Sequence, residues 1–362
     1  MKFLQLFPFY EEYVRDFYAR NPGAETLPYA VQNARLQADG FGIVHMFARY
    51  LAPLGFETEI AFTECEPVQK QWLAEHGGSL ARPDDWRHEI AARQVNAAKP
   101  DILYLTEPVA YDRRFLDRLT HRPRLVLAWK AAAIPAGTDW RGIDVILSNF
   151  SPMLAQARSL GAKETEFLIP GFPETLVDEL PREDKAWDVS FLGSISSEHP
   201  TRNGYLDRFA QSAEAHRPGF ELGYFLRTAE PAIVPPAIAA CNRGARWGED
   251  MHRILKNSRI ALNIGIDLAK EETGNMRMLE ATGLGTFLLT EHRANIRNYF
   301  EPGVECETFA SSGELEEKVR YYLTQADERE AIARRGQARC RRDFPMSRSV
   351  RQLADLIRRH LG

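Results

Sequence analysis

Short apolar runs alternate with stretches of helical periodicity along almost the whole chain. The apolar runs of the first half are bounded by charged and turn residues, and lie at 3–9, 57–62, 101–105, 125–129, 144–148 and 166–169. A second set follows a break in the pattern, and lies at 188–192, 221–225, 260–264, 286–289 and 307–309. Alternation of buried strands with helices is typical of parallel sheets covered by helices on both faces. The sequence therefore predicts an α/β protein with two doubly wound sheets.

The break between the two sets predicts the domain organisation. Pro170-Gly171-Phe172-Pro173 is followed by a polar stretch, which indicates a linker. We therefore place an N-terminal Rossmann-like domain at 1–172, a linker at 173–186 and a C-terminal Rossmann-like domain at 187–346. Apolar residues at helical spacing in 347–362 predict an amphipathic helix, which we expect to return to the N-terminal domain. Ligands of such sheets bind at the carboxyl ends of the strands, so we expect the two domains to face a central cleft.

Composition narrows the classes of function. The 362 residues include 46 basic and 50 acidic side chains, a balance that gives no sign of a nucleic-acid partner. The four cysteines form no C-x-x-C pair, so we expect neither disulfides nor a structural metal, and a reducing, cytoplasmic location. The apolar start of the chain is too short for a signal peptide, and no run is long enough to span a bilayer. The sequence is compatible with peripheral contact with a membrane.

The segment 263–285 is the most informative part of the chain. It reads as a strand, a polar loop, a helix and a glycine stop. Asn275 is placed to be the N-cap of this helix, which would leave the amides of Met276, Arg277 and Met278 as unpaired donors. The positive end of a helix binds phosphate readily, so we expect a phosphate group there.

Two glutamates flank this helix start with the spacing E-x7-E. Glu280 lies about one turn into the helix and shares a face with Arg277, where its carboxylate could accept both hydroxyls of a ribose. Glu272 lies in the preceding loop and could meet a sugar. The alternative is structural: Glu272 belongs to an exposed charge cluster, and Arg277 and Glu280 form a surface ion pair.

A second candidate site is the turn after the strand at 188–192. Gly193 would let the backbone approach a ligand, and Ser194 and Arg202 could donate hydrogen bonds to phosphate oxygens. The alternative is an ordinary turn between a strand and a helix, with Arg202 on the surface.

The third candidate site is a glycine loop in the first half. Gly40 and Gly42 precede a predicted helix that runs to Gly55, and His45 could reach a sugar hydroxyl or an acceptor. A structural role is the alternative for His45, because a lone histidine on a helix is more often structural. The nearby aromatic residues 7–29 could line an acceptor groove, although helical spacing favours core packing.

Several familiar motifs are missing from the sequence. There is no D-x-D pair to bridge a metal to a diphosphate, so arginine and the helix dipole would neutralise leaving-group charge. A phosphate loop, a G-x-S-x-G elbow and an H-E-x-x-H helix are missing too, which argues against ATPases, α/β-hydrolases and zinc proteases.

Several blocks in a fixed order carry a resemblance to a known family. They are Trp247-Gly248-Glu249-Asp250-Met251, 258–263, 275–283, 287–290, 300–303, 314–315 and 329–336. In these blocks the chain resembles glycosyltransferases of the spore-maturation CgeB/YkvP type, within the GT-B group that carries E-x7-E motifs. The likeness covers about 187–355 well and the first half loosely. Many E-x7-E transferases have Gly-Phe-Gly after the first glutamate, whereas Thr273-Gly274-Asn275 stands here, which weakens a catalytic role for Glu272.

The resemblance implies a GT-B fold and a glycosyl transfer reaction. It implies a nucleoside diphosphate sugar as co-substrate without another cofactor, an unidentified acceptor, and retention of anomeric configuration. It also places Gly193 and Ser194 beside the donor phosphates and the glycine loop opposite the donor. A sugar-nucleotide epimerase or hydrolase, and a binding protein without turnover, are the alternatives, because each could use the same paired domains.

Overall fold

The computed structural model describes residues 1–181 and 184–362, and its contacts divide it into two compact units. Unit 1 comprises Met1–Pro170 and Ser347–Gly362, and unit 2 comprises Gly171–Met346. The predicted linker at 173–186 contains one helix, Leu176–Glu179. Residues 182 and 183 of that linker lie outside the described residues.

Unit 1 contains the first sheet. Its strands are β1 (Lys2–Phe7), β2 (Glu57–Phe62), β3 (Ile102–Leu105), β4 (Leu125–Trp129), β5 (Val145–Ser148) and β6 (Glu164–Phe167). They pair in the order β2-β1-β3-β4-β5-β6, and every pair is parallel. Because β1 lies between β2 and β3, the direction of winding changes beside β1. Open α/β sheets bind ligands at the carboxyl edge of such a switch point.

The helices of unit 1 cover both faces of this sheet. They are α1 (Glu11–Arg20), α2 (Tyr29–Asp39), α3 (Phe47–Leu51), α4 (Glu66–His76), α5 (Trp86–Ala98), α6 (Arg113–Leu116) and α7 (Ser151–Ser159). The aromatic residues near the start of the chain only partly match the predicted core: Tyr13 and Phe17 of α1 are buried, whereas Tyr10, just before α1, is 48% exposed.

Unit 2 contains the second sheet. Its strands are β7 (Trp187–Ser194), β8 (Leu222–Arg227), β9 (Ser258–Asn263), β10 (Phe287–Glu291) and β11 (Glu307–Phe309). They pair in parallel in the order β11-β10-β9-β7-β8, so the switch point of this sheet lies between β7 and β9. The buried strands are rich in Leu, Ile and Phe, as expected for a parallel sheet covered on both faces.

One helix of unit 2 precedes β7, and the others follow strands of its sheet. They are α8 (Leu176–Glu179), α9 (Pro200–Ala210), α10 (Pro236–Cys241), α11 (Gly248–Lys256), α12 (Met276–Gly283), α13 (Ser312–Thr324) and α14 (Ala326–Asp343). Gly283 ends α12 against the ring of Phe172, which would lie 2.4 Å from a Cβ at that position.

The predicted strands of both sheets are present in the structure, with ends shifted by up to a few residues.

The final helix, α15 (Met346–Leu361), belongs to unit 1 for nearly all its length. Arg358 donates to the carbonyl of Leu54 at 3.2 Å, and Arg124 donates to the carbonyl of Leu361 at 3.1 Å. The predicted return of the C-terminal helix to the N-terminal domain is confirmed. Across the described ranges, no helix combines the length and apolar character needed to cross a membrane.

The prediction of one helix from the glycine loop to Gly55 is wrong. Gly40 and Gly42 adopt left-handed conformations, with φ of 74° and 67°, and Gly40 ends α2. The following chain forms a 3-10 turn at Ile43–His45, then α3, then another 3-10 turn at Ala52–Leu54. The amide of Ala48 donates to the side-chain oxygen of Gln5 on β1 at 3.2 Å. In a continuous helix this amide would instead donate to a backbone carbonyl of the preceding turn.

Candidate functional site

The switch point of unit 2 holds a buried arginine. Arg202, on α9, donates to the carbonyl oxygen of Gly265, two residues beyond β9, at 3.3 Å. It also donates to the carbonyl and hydroxyl oxygens of Ser194, the last residue of β7, at 3.3 and 3.5 Å. One guanidinium therefore connects the carboxyl ends of the two strands between which the winding reverses.

The charge of Arg202 is poorly compensated. Its side chain is 5% exposed, and burial lowers its pKa to about 10, although the carboxylates of Asp267 and Glu291 act in the opposite direction. Burial, helped by the charge of Arg202, also lowers the pKa of His199, just before α9. A buried cation held mainly by neutral oxygens favours an anionic ligand.

The start of α12 lies beside the same strand end. Asn275 occupies the predicted N-cap position, but its side chain does not cap the helix. It donates to Asn263, the last residue of β9, at 2.6 Å, and Asn263 donates to Thr290 of β10 at 2.8 Å. Among the described residues, the Oδ1 atom of Asn275 is buried without a hydrogen-bond partner.

The prediction of three unpaired amides at this helix start is wrong for one of them. The amide of Met278 is not unpaired, because it donates to the carbonyl of Asn275 at 3.2 Å in a tight first turn. Met276 and Arg277 supply the first two amides of α12, and these lack acceptors within an α-helix. The positive end of α12 and Arg202 thus both lie at the carboxyl end of β9.

Arg277 and Glu280 form a buried ion pair rather than a surface one. The Nη1 atom of Arg277 lies 2.6 Å from Oε2 of Glu280 and 2.9 Å from Sδ of Met251 on α11. The Nε2 atom of His252 lies 3.6 Å from the other carboxylate oxygen, and Glu280 is only 5% exposed. Glu280, the second glutamate of the E-x7-E spacing, therefore links α11 and α12.

The end of β10 adds two residues that the sequence analysis missed. The carboxylate of Glu291 accepts from the amide of Gly265 at 3.3 Å and from Arg293 at 2.8 Å. Arg293 also donates to the carbonyl of Lys270, in the loop before α12. The signal was available in the sequence, because these charged residues directly follow a buried strand at the edge where ligands bind.

The loop between β9 and α12 contains Glu272, which is half-buried. Asn295 holds this loop, accepting from the amide of Thr273 at 2.6 Å and donating to its carbonyl at 2.9 Å. At the start of the loop, Asp267 accepts from the amide of Thr201 at 3.1 Å. The first turn of α9 is thus already contacted by a carboxylate of the protein. The start of α12, by contrast, contacts the neutral side chain of Asn263.

Gly193 lies within β7, opposite Leu226 of β8, rather than in the turn that follows. The ring of Phe191 would lie 3.0 Å from a Cβ at Gly193. Packing on this ring gives a structural reason for glycine at the position. Ser194, by contrast, contacts Arg202 directly.

The switch point of unit 1 holds the other predicted residues. The side chain of Gln5 on β1 donates to the carbonyl of His45 at 2.7 Å and to the hydroxyl of Thr106, after β3, at 2.9 Å. A Cβ on Gly42 would lie 2.7 Å from the ring of Phe7, the last residue of β1. His45 and Gly42 thus lie at the carboxyl edge of this sheet, while Gly40 ends α2.

Beside His45 lies a pair of charged residues that the sequence analysis missed. The ring of His45 lies 5.2 Å from that of Trp129, at the end of β4. The next residue, Lys130, is 6% exposed and donates to both carboxylate oxygens of Glu107, at 2.9 and 3.1 Å. Unit 1 therefore presents an imidazole, an indole and a carboxylate held by a buried ammonium at one edge.

A family described as glycosyl transferase-like matches residues 175–355, which is half of the chain. The match covers nearly all of unit 2, including Arg202, the E-x7-E segment and the residues after β10. None of the curated proteins matches the chain significantly in sequence.

Solved structures match the whole chain at low sequence identity. Anabaena HepE in complex with UDP-glucose has a TM-score of 0.61 and 12% identity, with 99% of both chains covered. Sucrose-phosphate synthase from Thermosynechococcus elongatus has a TM-score of 0.59 and 10% identity, again with 99% of both chains covered. A glycosyltransferase from Rickettsia africae has a TM-score of 0.58 and 12% identity, with 100% of this chain and 98% of that chain covered. The fold, with its two Rossmann-like domains, is GT-B.

Proposed function

Because this chain belongs to the glycosyl transferase-like family, we propose that it moves a glycosyl group from a nucleoside diphosphate sugar, bound by unit 2, to an acceptor. The protein is a glycosyltransferase. The observation that carries the proposed donor site is that Arg202 contacts Gly265 and Asn275 contacts Asn263, so Arg202 and the start of α12 both lie at the carboxyl end of β9, beside the switch point between β7 and β9. Both are anion-binding features, and a diphosphate is the part of the donor that carries charge.

The roles of the residues follow from where charge develops. Arg202, Ser194 and the first amides of α12, at Met276 and Arg277, contact the diphosphate and stabilise it as it leaves. Glu280 accepts the ribose hydroxyls, and Arg277 and His252 hold its carboxylate in place. Asn275 accepts a hydrogen bond from a hydroxyl of the nucleotide sugar through its buried Oδ1 atom. Glu272 contacts the transferred sugar.

The nature of the donor base is suggested by similar proteins. Anabaena HepE was crystallised with UDP-glucose, and also with UDP and glucose. We therefore expect a uridine nucleotide as the donor. Within the family, the ordered sequence blocks favour the CgeB/YkvP type.

The acceptor is assigned to unit 1. His45 and the carboxylate of Glu107 are proton acceptors that lie on either side of Trp129 and Lys130 at the edge of the sheet. The ring of Trp129 offers the kind of aromatic face on which sugars stack. The acceptor is accordingly expected to be a hydroxyl compound, such as a glycan.

Two statements about the setting of the protein remain predictions. The cytoplasmic location rests on four cysteines that are all unpaired in the structure. Peripheral membrane contact rests on the basic residues of α15 and would be detected by sedimentation with anionic vesicles.

Nucleotide binding tests the donor site directly. Among UDP, GDP, dTDP and CMP, we expect calorimetry to show binding of UDP at least about tenfold tighter than that of the others, because a specific base contact contributes about 1.4 kcal/mol or more. The same protein should consume UDP-glucose in the presence of a mixed panel of sugar acceptors, with UDP release as the measurement.

The outcomes separate the three functions considered from the sequence. Release of UDP that requires an acceptor supports transfer. Release without an acceptor indicates a hydrolase, and a changed sugar without release indicates an epimerase. Tight binding with no change in the donor indicates a binding protein. No binding of any nucleotide would contradict the donor site as assigned here.

We expect transfer without a divalent metal, because Arg202 and the start of α12 supply the positive charge that a metal would otherwise supply. Addition of excess EDTA should change kcat by less than about twofold, since a lost Lewis acid would cost several kcal/mol. A loss of activity that Mg²⁺ or Mn²⁺ restores would contradict this expectation. Heat-denatured enzyme with and without EDTA controls for spontaneous release of UDP.

A further inference from the structure

Unit 2 contains a large cavity away from the switch point. Its volume is about 1100 Å³. The strands that border it do so at their beginnings, through Arg259 near the start of β9 and Phe287 at the start of β10. The cavity therefore lies at the amino edge of the sheet, whereas Arg202 and the start of α12 lie at the carboxyl edge. Nothing in the proposed donor site uses it.

The lining of the cavity is strongly basic. The cations are Lys185, Lys256, Arg259, Arg329, Arg334 and Arg341. The carboxylates among the described lining residues are Asp184 and Glu330, and Asp188 behind the wall binds Arg259 at 2.9 Å. Six cations thus face three carboxylates, which leaves a positive charge of three. The chain as a whole carries a formal charge of -4, so this excess is local.

Three of the lining cations are held by backbone oxygens, and one of them is Lys256, whose ammonium donates to the carbonyls of Val177 and Leu180 at 3.1 and 2.6 Å. The ammonium of Lys185 donates to the carbonyl of Lys256 at 2.5 Å, and the buried guanidinium of Arg329 donates to the carbonyl of Tyr322 at 2.9 Å. Lys185 is exposed at the edge of the cavity, and desolvation by the surrounding lining, together with the charges of Arg329 and Arg259, lowers its pKa to about 8. These positive charges repel one another in the folded protein, so an anion bound in the cavity would lower the electrostatic free energy of the lining.

Much of the cavity lining belongs to α14, which also carries Arg329. Glu330, Arg334, Gln337 and Arg341 recur at helical spacing along it. Arg334 and Arg341 are exposed, two turns apart, and can turn toward a ligand without unfolding anything. Gln337 is fixed, because its amide donates to the carbonyl of Gly283 at 3.1 Å. This face of α14 thus carries a fixed amide with an exposed arginine about one turn away on either side.

We propose that this cavity is a second binding site of the protein, for a ligand that carries more than one phosphate group. Several guanidinium and ammonium groups around one volume match a multivalent phosphate better than a single carboxylate. The volume has room for more than the phosphates alone, so they can be part of a soluble metabolite or of a lipid headgroup. The site is independent of the proposed donor site, since it uses other residues at the other edge of the sheet.

Inorganic tripolyphosphate is the probe, measured by calorimetry in the presence of saturating UDP so that the donor site is filled. We expect one tripolyphosphate to bind per chain. In the double variant R334Q/R341Q the affinity should fall by about 100-fold, because two charge-assisted hydrogen bonds to phosphate are lost. A parallel measurement uses sedimentation with vesicles of phosphatidylcholine and cardiolipin, whose headgroup carries two phosphates, and loss of vesicle binding in R334Q/R341Q would identify a lipid headgroup as the source of the phosphates.

The double variant R335Q/R342Q is the matched control. It removes the same charge from exposed positions of the same helix that are not part of the cavity lining. Unchanged affinity in R335Q/R342Q with a loss in R334Q/R341Q supports the site. An equal loss in both pairs, no loss in either, or no binding of tripolyphosphate or vesicles would overturn it. Repeating the comparison without UDP keeps the result readable even if UDP does not bind, an outcome that counts against the donor site alone.

Discussion

Replacement of Glu280 by alanine is expected to weaken UDP binding by about 100-fold and to lower the free energy of unfolding by about 3 kcal/mol. The affinity falls because two hydrogen bonds from ribose hydroxyls to a carboxylate are lost, each contributing about 1.5 kcal/mol. The stability falls because the guanidinium of Arg277, whose side chain is only 19% exposed, loses the carboxylate 2.6 Å away. Calorimetric titration and urea unfolding measure the two effects separately.

The conservative variant Glu280→Gln distinguishes a binding role from a structural one. It keeps the shape of the side chain, so the protein should remain folded while UDP affinity falls by about tenfold. The control is Glu249→Gln, which removes a carboxylate from an exposed pair with Arg253 on the neighbouring helix α11. Unchanged UDP affinity in folded Glu280→Gln would show that Glu280 only holds α11 and α12 together.

Replacement of Arg202 by glutamine is expected to lower kcat by about 100-fold or more. Loss of one preorganised donor to developing negative charge has an effect of this size. The free energy of unfolding should change by less than about 1 kcal/mol. Burial lowers the pKa of Arg202 to about 10, below its usual value, so at neutral pH the charged side chain destabilises the folded state. Relief of that cost offsets the lost hydrogen bonds to Gly265 and Ser194.

Arg208→Gln is the matched control for this variant, because Arg208 lies on the same helix α9 and is exposed. It should keep kcat and UDP affinity. If Arg202→Gln instead unfolded the protein while Arg208→Gln did not, Arg202 would be a structural link between β7 and β9. A folded Arg202→Gln variant with unchanged kcat would remove it from the donor site.

The strands and the overall architecture could be read from the sequence because their signal is local. A buried parallel strand is a short apolar run between turn residues, and the run predicted at 125–129 has the same bounds as β4. Helix ends were less predictable. The helix predicted from the glycine loop to Gly55 is interrupted before Phe47, and just after this interruption the amide of Ala48 donates to Gln5, which is 43 positions away in sequence. No local pattern reports such a bond.

The candidate site was only partly predictable for the same reason. Asn275, Arg277 and Glu280 lie on one continuous segment, so helical spacing alone relates them. Arg202 and Gly265 come together only when β7 and β9 pair, and the sequence could not show that their contact buries the arginine. The pair formed by Glu107 and Lys130 needs two neighbouring strands as well.

The sequence by itself determined the alternation of strands and helices, the positions of the strands, and the spacing of the residues around α12. Each of these depends on neighbours within about one helical turn or one strand, where covalent geometry fixes which side chains share a face. Only the tertiary structure decided that the pair of Arg277 and Glu280 is buried, that Asp267 contacts α9, and that six cations surround one cavity. These facts depend on which distant segments pack together, because desolvation and charge are properties of the packed chain.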